Sequence, residues 1–245
     1  MHTIEFLNEP TEENPFLIVK KEANFPCAPL TENDKNNAFF YAAQKFPQIL
    51  NVSGKKSIEH GLVHRLDTVT EGIFLIALTQ DFYDYIQNEQ KNGRFTKIYQ
   101  AKCEFLKENT KKIEGFPEND FKISEDFIIS SYFRNFGPGA KEVRPVFENS
   151  SKIALKKIGK QKLYSTEVKI LSKNQNEYFV ECKIKEGYRH QVRCHLASVN
   201  LPIKGDKIYN FNERQNPQNE KIEFFATGLE FIHPKTEKKV LFKWK

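Results

Sequence analysis

The sequence predicts an α+β fold in which a mixed, mainly antiparallel sheet carries flanking helices. Short segments rich in Val, Ile, Phe and Tyr, bounded by polar turns, recur along most of the chain and favour extended structure. Three other segments have apolar residues at helical spacing. A majority of strands with few helices between them is typical of an antiparallel sheet with helices on its faces.

Two helices are predicted before residue 95. Residues 31–46 have helix-compatible spacing, with apolar Phe39, Ala42 and Phe46 on one face. Thr79 has the residue type of an N-cap, and the helix that follows it is expected to end at Gly93.

Extended structure is predicted to dominate from residue 95 onward. The predicted strands are residues 95–105, 124–133, 163–171, 178–184, 223–232 and 240–244. Residues 108–120 and 210–221 are polar and are expected to form mobile loops.

The most informative segment is the polar turn His64-Arg65-Leu66-Asp67, which lies between two strand-like segments, 61–64 and 73–78. A turn on a rigid sheet displays its side chains, and an ionised aspartate there can act as a nucleophile or a base. An ordinary ion pair between Arg65 and Asp67 is the structural alternative.

A second polar segment, 187–197, follows a predicted strand and then changes to helical spacing. Val192 and Leu196 lie on one apolar stripe, whereas Arg189 and Arg193 share a different face. Because the start of a helix favours anions, this segment is a candidate seat for a phosphate or a carboxylate. A solvated basic face is the alternative.

Together, these segments resemble the signatures of the RluA-type pseudouridine synthase family. The family's H-R-L-D turn is followed by T-S-G, and its later element reads G-R-x-H-Q-I/L-R-x-H-L/M, which resembles residues 187–196. Further resemblances follow the family's order along the chain. They are an opening strand at 16–21, K-x-Y-x-A at 97–101, the G-D-x-x-Y loop at 201–209 and the closing F-x-H-P element at 225–234.

Three positions depart from these motifs. Glu71 replaces the Ser of T-S-G, and its charge is expected to weaken phosphate contact nearby. Tyr188 replaces the Arg of G-R-x-H, so the arginine is displaced to Arg189. The family's N-K-P-x-G corresponds to residues 20–24, which lack its Pro and Gly, so a different local turn is expected.

The resemblance implies a pseudouridine synthase-like fold and the isomerisation of uridine to pseudouridine in ribosomal or transfer RNA, without a cofactor, nucleotide or metal. Asp67 is then the nucleophile that acts on a flipped-out uridine, Tyr99 the aromatic platform, and Arg193 the cation that contacts and orients Asp67. RNA- or substrate-binding roles are implied for His64, Arg65, Lys97, Arg189, His190 and Gln191. Tyr99 as an ordinary core tyrosine remains the alternative, and attack at C1′ and a glycal route both remain open.

Length and composition favour a compact enzyme. The chain has 245 residues, 39% of them hydrophobic, which is enough to bury a core. We expect a single domain over residues 1–245 and, because the first strand begins by Phe16, no amino-terminal S4 domain. No apolar segment approaches about 20 residues, so we expect a soluble, cytoplasmic protein without a membrane span. We also expect a monomer.

The net charge and the cysteine content limit which partners and metals can be expected. The net charge of +6, from 38 basic and 32 acidic residues, is compatible with RNA as the partner, although the lysine runs at 107–112 and 156–162 can equally be solvated loops. The four cysteines form no C-x-x-C pair, and His190 and His195 lack helical zinc spacing. Reduced thiols and no metal are therefore expected.

Two other functional classes stay open. An RNA-binding relative without catalysis would keep a basic surface, although the retention of Asp67, Tyr99 and Arg193 argues against it. A hydrolase that acts on a small substrate and uses Asp67 with His64 or His190 would be expected to carry a G-x-S-x-G or metal motif, which the sequence lacks.

Overall fold

A computed structural model describes residues 2–106, 113–117, 121, 123–218 and 221–244. Within these residues the strands are β1 Ile4–Phe6, β2 Phe16–Lys21, β3 Glu71–Ala77, β4 Thr96–Glu104, β5 Asp126–Phe136, β6 Glu142–Val146, β7 Tyr164–Asn174, β8 Glu177–Ile184, β9 Phe224–Ile232 and β10 Lys239–Lys243. The α-helices are α1 Ala38–Lys45, α2 Gln80–Lys91, α3 Lys152–Lys156, α4 Gln191–Ser198 and α5 Phe211–Gln215. The mixed, mainly antiparallel α+β architecture predicted from the sequence is confirmed.

The chain divides into two compact units, residues 1–98 with 225–245 and residues 99–224. In the first unit the strand order is β1-β2-β3-β9, and β10 pairs with β9. The pairing is antiparallel except between β3 and β9, where Gly72 lies opposite Ala226 in a parallel register. The expectation of a single domain stays a prediction.

Apolar residues of the strands, of α2 and of the segments that connect them form the core of the first unit. Thr79 caps α2 by accepting the Phe82 N–H at 3.4 Å, as its residue type predicts. The Phe82 ring then stacks on Phe16 of β2 with a centroid distance of 4.9 Å. The buried core residues are Phe16, Ile18, Val52, Val63, Ile73, Leu75, Ala77, Phe82, Tyr83, Ile86, Phe95, Leu229 and Phe231.

In the second unit the strand order is β4-β8-β7-β5-β6. The pairs β8–β7, β7–β5 and β5–β6 are antiparallel. Helix α4 contacts β6 and β7 and is buried over most of its length. A small core of Phe133, Val143, Tyr164, Cys194 and Tyr209 holds the helix in place.

Several element predictions need correction. Helix α1 begins at Ala38 rather than at residue 31, because the Asn37 side chain accepts the Phe40 N–H at 2.8 Å and so caps the helix there. Helix α4 begins at Gln191, so Arg189 precedes the helix and shares no face of it with Arg193. The short strands β1 and β6 were not predicted, and α5 occupies part of the expected loop 210–221.

Parts of two predicted segments lie outside the described residues. These are 107–112, 118–120 and 219–220. Among the described residues, no helix has the length and apolar character needed to cross a bilayer. The four cysteines are buried free thiols, and no group of three or more His, Cys, Asp or Glu side chains in the described part of the chain could hold a metal ion.

Candidate active site

Asp67 lies in a turn that the first unit fixes at both ends. The Val63 N–H donates to the Leu75 carbonyl at 3.1 Å, so residues 61–63 run antiparallel to β3 before the turn begins. The turn is closed by the Thr70 N–H, which donates to the Asp67 carbonyl at 3.0 Å. The half-buried Asp67 side chain is therefore carried by a short loop between paired segments, as the sequence predicted.

Gly72 fixes the exit from the turn. Its φ of +136° favours glycine, and a side chain at this position would place Cβ 2.2 Å from the Ala226 carbonyl oxygen. Only glycine allows β3 and β9 to approach this closely, which explains the Gly that ends the T-S-G-like motif.

Lys21, at the end of β2, anchors the turn that carries Asp67 through hydrogen bonds of its ammonium group. Its side chain is fully buried, and its ammonium donates to the carbonyl oxygens of Thr68, at 3.2 Å, and of Thr70. A third hydrogen bond goes to the Glu22 carbonyl at 3.1 Å. The three donors of one buried cation thus organise the residues that follow Asp67.

The charge of this lysine is balanced locally. Burial lowers the pKa of Lys21 to about 8, and the negative charges of Cys27 when ionised, of Asp67 and of Glu71 act to raise it. Since burial raises the pKa of the Cys27 thiol to about 11, the two carboxylates are the relevant anions at neutral pH. Glu71, the residue that departs from the family motif, thus lies in the field of a buried cation.

Lys21 is a candidate functional residue that the sequence analysis missed. It occupies the lysine position of the family's N-K-P-x-G motif, and a lysine that ends an apolar strand beside that motif was the available signal. Asn24 stands at the motif's Gly with a φ of 61°, a region that Asn tolerates better than most residues.

We expect Lys21→Met to lower turnover at neutral pH by about 10²-fold, because the turn that carries Asp67 loses its anchoring cation. In the wild-type protein, turnover is expected to fall as the pH rises through about 8, the pKa of Lys21. The stability should change in the opposite direction. Between pH 8 and 10.5 the unfolded chain holds more protons at this lysine than the native protein does, so its titration raises the free energy of unfolding with pH.

Measurements of turnover and of urea unfolding from pH 6.5 to 10 check both predictions, the fall of turnover and the rise of the free energy of unfolding. Lys20→Met is the matched control, because this neighbouring lysine pairs with Glu5 at 3.4 Å and lies over the Trp244 ring. An alkaline decline of turnover that persists unchanged in Lys21→Met would show that another group causes it.

The other predicted residues of the first unit have identifiable contacts. His64 accepts the Leu75 N–H on Nε2 at 3.3 Å, and burial together with the charges of Lys97 and Lys55 lowers its pKa well below the usual value. The imidazole is therefore neutral and ties the turn to β3. The Lys97 ammonium lies 5.9 Å from the centroid of the Phe95 ring.

Arg65 is exposed and pairs with Glu59 at 3.0 Å. The ordinary ion pair of Arg65 with Asp67 stays an alternative, and the pair with Glu59 is the one that the structure describes. Its guanidinium lies at the surface, where the predicted nucleotide contact stays a prediction.

In the second unit, Arg193 is part of a buried ion pair. Its Nε and one Nη each lie 2.8 Å from an oxygen of Asp206, and both side chains are almost completely buried. Asp206 also accepts the N–H groups of Ile208 and Tyr209 at 2.9 and 3.1 Å. The ion pair therefore joins α4 to the G-D-x-x-Y loop, and the predicted contact of Arg193 with Asp67 stays a prediction.

Gln191 and His190 fix the start of α4. The buried Gln191 amide accepts the Tyr188 N–H and donates to the Ser165 carbonyl, both at 2.9 Å. His190 has a φ of 56°, and its Nδ1 lies 2.9 Å from the Tyr209 hydroxyl. These contacts give both residues a structural role, and their predicted RNA contacts stay predictions.

Arg189 is exposed, yet its guanidinium is held by the protein. One Nη donates to Asn135 Oδ1 at 3.2 Å, to the Glu142 carbonyl at 3.1 Å and to the Ala140 carbonyl. The donor that makes these bonds is directed at the β5–β6 hairpin, with acceptors on both strands and between them. A phosphate contact from Arg189 stays a prediction.

Tyr99 lies on β4 and is only 7% exposed. Its ring stacks on Phe224 with a centroid distance of 5.2 Å and an angle of 12°. One face of the aromatic ring is therefore covered by the protein, and the predicted stacking of a uracil on Tyr99 stays a prediction.

The comparisons with known proteins agree with these motifs. Residues 15–198 match the family model described as RNA pseudouridylate synthase. The chain is 24% identical over 241 residues to ribosomal large subunit pseudouridine synthase D of Zymomonas mobilis, covering 94% of this chain and 66% of the relative. It is 22% identical over 223 residues to tRNA pseudouridine(31) synthase of Saccharomyces cerevisiae, covering 86% of this chain and 48% of the relative.

The fold is also similar to that of human RNA pseudouridylate synthase domain containing 1, with a TM-score of 0.68 and 18% identity over 99% of this chain and 83% of the human one. The chain spans about half to two thirds of the length of these two curated relatives. Since the family model matches most of the chain, the protein belongs to the RNA pseudouridylate synthase family.

Proposed function

We propose that the protein is an RNA pseudouridine synthase that isomerises uridine in ribosomal or transfer RNA, with Asp67 as the nucleophile. The observation that carries the proposal is the Asp67 turn, which is closed by Thr70, ends at an obligatory Gly72 and is anchored by the buried Lys21. A carboxylate fixed in this way beside a cation is suited to charge development during bond cleavage.

The proposed reaction needs no external group. The bond between uracil N1 and ribose C1′ breaks, the detached base turns, and C5 forms a new bond to C1′. The proton lost from C5 is balanced by the proton gained at N1. Asp67 either forms a transient ester at C1′ or removes the C2′ proton to give a glycal, and both routes return it as a free carboxylate.

The Tyr188 departure does not by itself favour a binding-only relative. The Tyr188 ring lies parallel to Phe133 at 4.8 Å, and Phe133 in turn stacks on His195 at 4.9 Å. His195 is completely buried between the hydroxyls of Ser131 and Thr166, and burial lowers its pKa to about 3. Tyr188 thus belongs to a packed aromatic stack that supports α4.

The test is to incubate the protein with total RNA from cells that lack its gene and then to map pseudouridines. New pseudouridines at defined sites would support the proposal and identify the substrate. RNA binding without any new pseudouridine would favour the binding-only alternative, and neither RNA binding nor new pseudouridine would favour the hydrolase of a small substrate.

We expect Tyr99→Phe to preserve RNA binding and the first bond cleavage but to slow product formation by about 10²-fold, if the hydroxyl transfers a proton. Adduct formation on 5-fluorouridine RNA, measured beside turnover on ordinary RNA, separates these steps. Tyr178→Phe on β8 is the matched control, since Tyr178 is also buried and contacts Phe105. Unchanged turnover in Tyr99→Phe would leave Tyr99 with only its packing on Phe224.

A further inference from the structure

We infer that residues 149–166 of the second unit, here called the lysine segment, bind the RNA backbone through phosphate contacts. The inference rests on the proposed function. The segment contains five lysines and no Asp or Glu, so it carries five of the six net positive charges of the chain. Its lysines are Lys152, Lys156, Lys157, Lys160 and Lys162.

Most of this charge is uncompensated. Lys162 pairs with Glu186 at 2.5 Å, whereas the other four lysines are exposed and form no ion pair with the described residues. The exposed lysines at the end of β8 are, by contrast, ion-paired. Lys183 pairs with Glu181 at 3.5 Å and Lys185 pairs with Glu167 at 3.9 Å. The lysine segment is therefore a local source of positive potential.

The segment is also held in a defined position. Ser151 caps α3 by accepting the Ala154 N–H at 3.3 Å. After the helix, the Gly159 N–H donates to the Phe133 carbonyl at 3.0 Å. A Cβ on Gly159 would lie 3.4 Å from the Tyr188 hydroxyl, so the backbone passes close to that ring. Because the backbone of the segment is fixed, only the lysine side chains have to be ordered when the segment binds phosphate.

This arrangement accounts for the position at which the chain departs from the family motif. Tyr188 carries no charge where the family's motif has an arginine, and one Nη of Arg189 donates to three acceptors of the protein. Tyr188 and Gly159 lie side by side, so the lysine segment packs next to the position at which the family's motif has an arginine.

RNA fits this surface better than a membrane does. Helix α3 has five residues, too few to present a continuous apolar face to a lipid surface, and its exposed large apolar residue is Ile153. Four separate lysine ammonium groups on a short helix and a turn instead suit a row of phosphates.

The test is a variant in which Lys152, Lys156, Lys157 and Lys160 are all changed to Gln. Binding to a fluorescein-labelled RNA stem–loop with a uridine-containing loop is measured over a series of salt concentrations. We expect the affinity to fall by at least about ten-fold at physiological salt, and the slope of log K against log salt to shrink by about 2–3 units.

The control removes the same charge elsewhere in the second unit, by changing Lys169, Lys173, Lys183 and Lys185 to Gln. An equal loss of RNA affinity in both variants would mean that only net charge matters, and it would overturn the inference. Unchanged RNA affinity in the variant of the lysine segment would also overturn it. A third outcome would overturn the inference as well: the wild-type protein binds phosphatidylserine vesicles, and the variant of the lysine segment loses this binding but keeps its RNA affinity.

Circular dichroism melting checks that the variants fold. If the four-fold variant does not, the pairs Lys152→Gln with Lys156→Gln and Lys157→Gln with Lys160→Gln replace it, each with about half of the expected change in slope. Binding is read without turnover, so a failure to form pseudouridine would refute the proposed function and leave this result interpretable.

Discussion

Replacing Asp67 with Asn is expected to reduce pseudouridine formation by about 10³-fold or more while RNA affinity changes by no more than a few-fold. The amide is nearly isosteric with the carboxylate, but it can neither attack C1′ nor remove a proton. A second effect follows from the structure. The charge of Asp67 raises the pKa of Lys21, so its removal should lower that pKa further below about 8.

Single-turnover assays and RNA titrations check the first effect, and the pH dependence of urea unfolding checks the second. Asp81→Asn is the control, because Asp81 is an exposed carboxylate in the first turn of α2. Turnover of Asp67→Asn close to that of the wild type would remove Asp67 from the mechanism, whatever the outcome for Lys21.

Changing Arg193 to Lys is expected to lower turnover at saturating RNA by about 10²-fold. A single ammonium cannot reproduce the two hydrogen bonds, at 2.8 Å each, that the planar guanidinium makes with Asp206. Since both partners are buried, the variant should also lose stability, although less than the roughly 3–5 kcal/mol that follows when one partner of such a pair is deleted.

A matched variant separates positioning from chemistry. Asp206→Asn weakens the same ion pair from the other side, so a purely structural Arg193 predicts parallel losses of turnover and melting temperature in the two variants. A role of Arg193 at the reacting nucleotide predicts a larger loss of turnover for Arg193→Lys at equal stability. Arg214→Lys, at a partly exposed arginine that pairs with Glu142, controls for the substitution itself.

Local sequence patterns predicted most of the regular elements. The alternation of apolar residues indicated the strands that become β4, β5, β7, β8, β9 and β10, and the Thr79 cap fixed the start of α2. The strands that were not predicted lie where the local sequence has a weak preference for extended structure. Strand β1 has three residues, and β6 contains Pro145, which disfavours a strand assignment.

In the candidate site, too, the features that depend on local sequence were predicted and those that depend on distant residues were not. The H-R-L-D turn could be found from the sequence because its residue types and its following Gly are local properties of the chain, and Gly72 is indeed required by the approach of Ala226. The start of α4 was placed too early, because His190 has a φ of 56°, outside the helical region, and Arg189 before it donates to acceptors on β5, on β6 and between them. Those acceptors lie about fifty residues away along the chain, beyond the reach of helical periodicity.

The sequence by itself determined the α+β class, the turn that carries Asp67 and the family to which the chain is similar, since all three depend on short ordered motifs. Only the tertiary structure decided which charges are buried and what they contact. Lys21 and Lys20 are adjacent and chemically identical, yet Lys21 is buried beneath the Asp67 turn and Lys20 pairs with Glu5. Successive residues of a strand point to opposite faces, so the environment of each lysine is set by what the fold places on its side of the sheet.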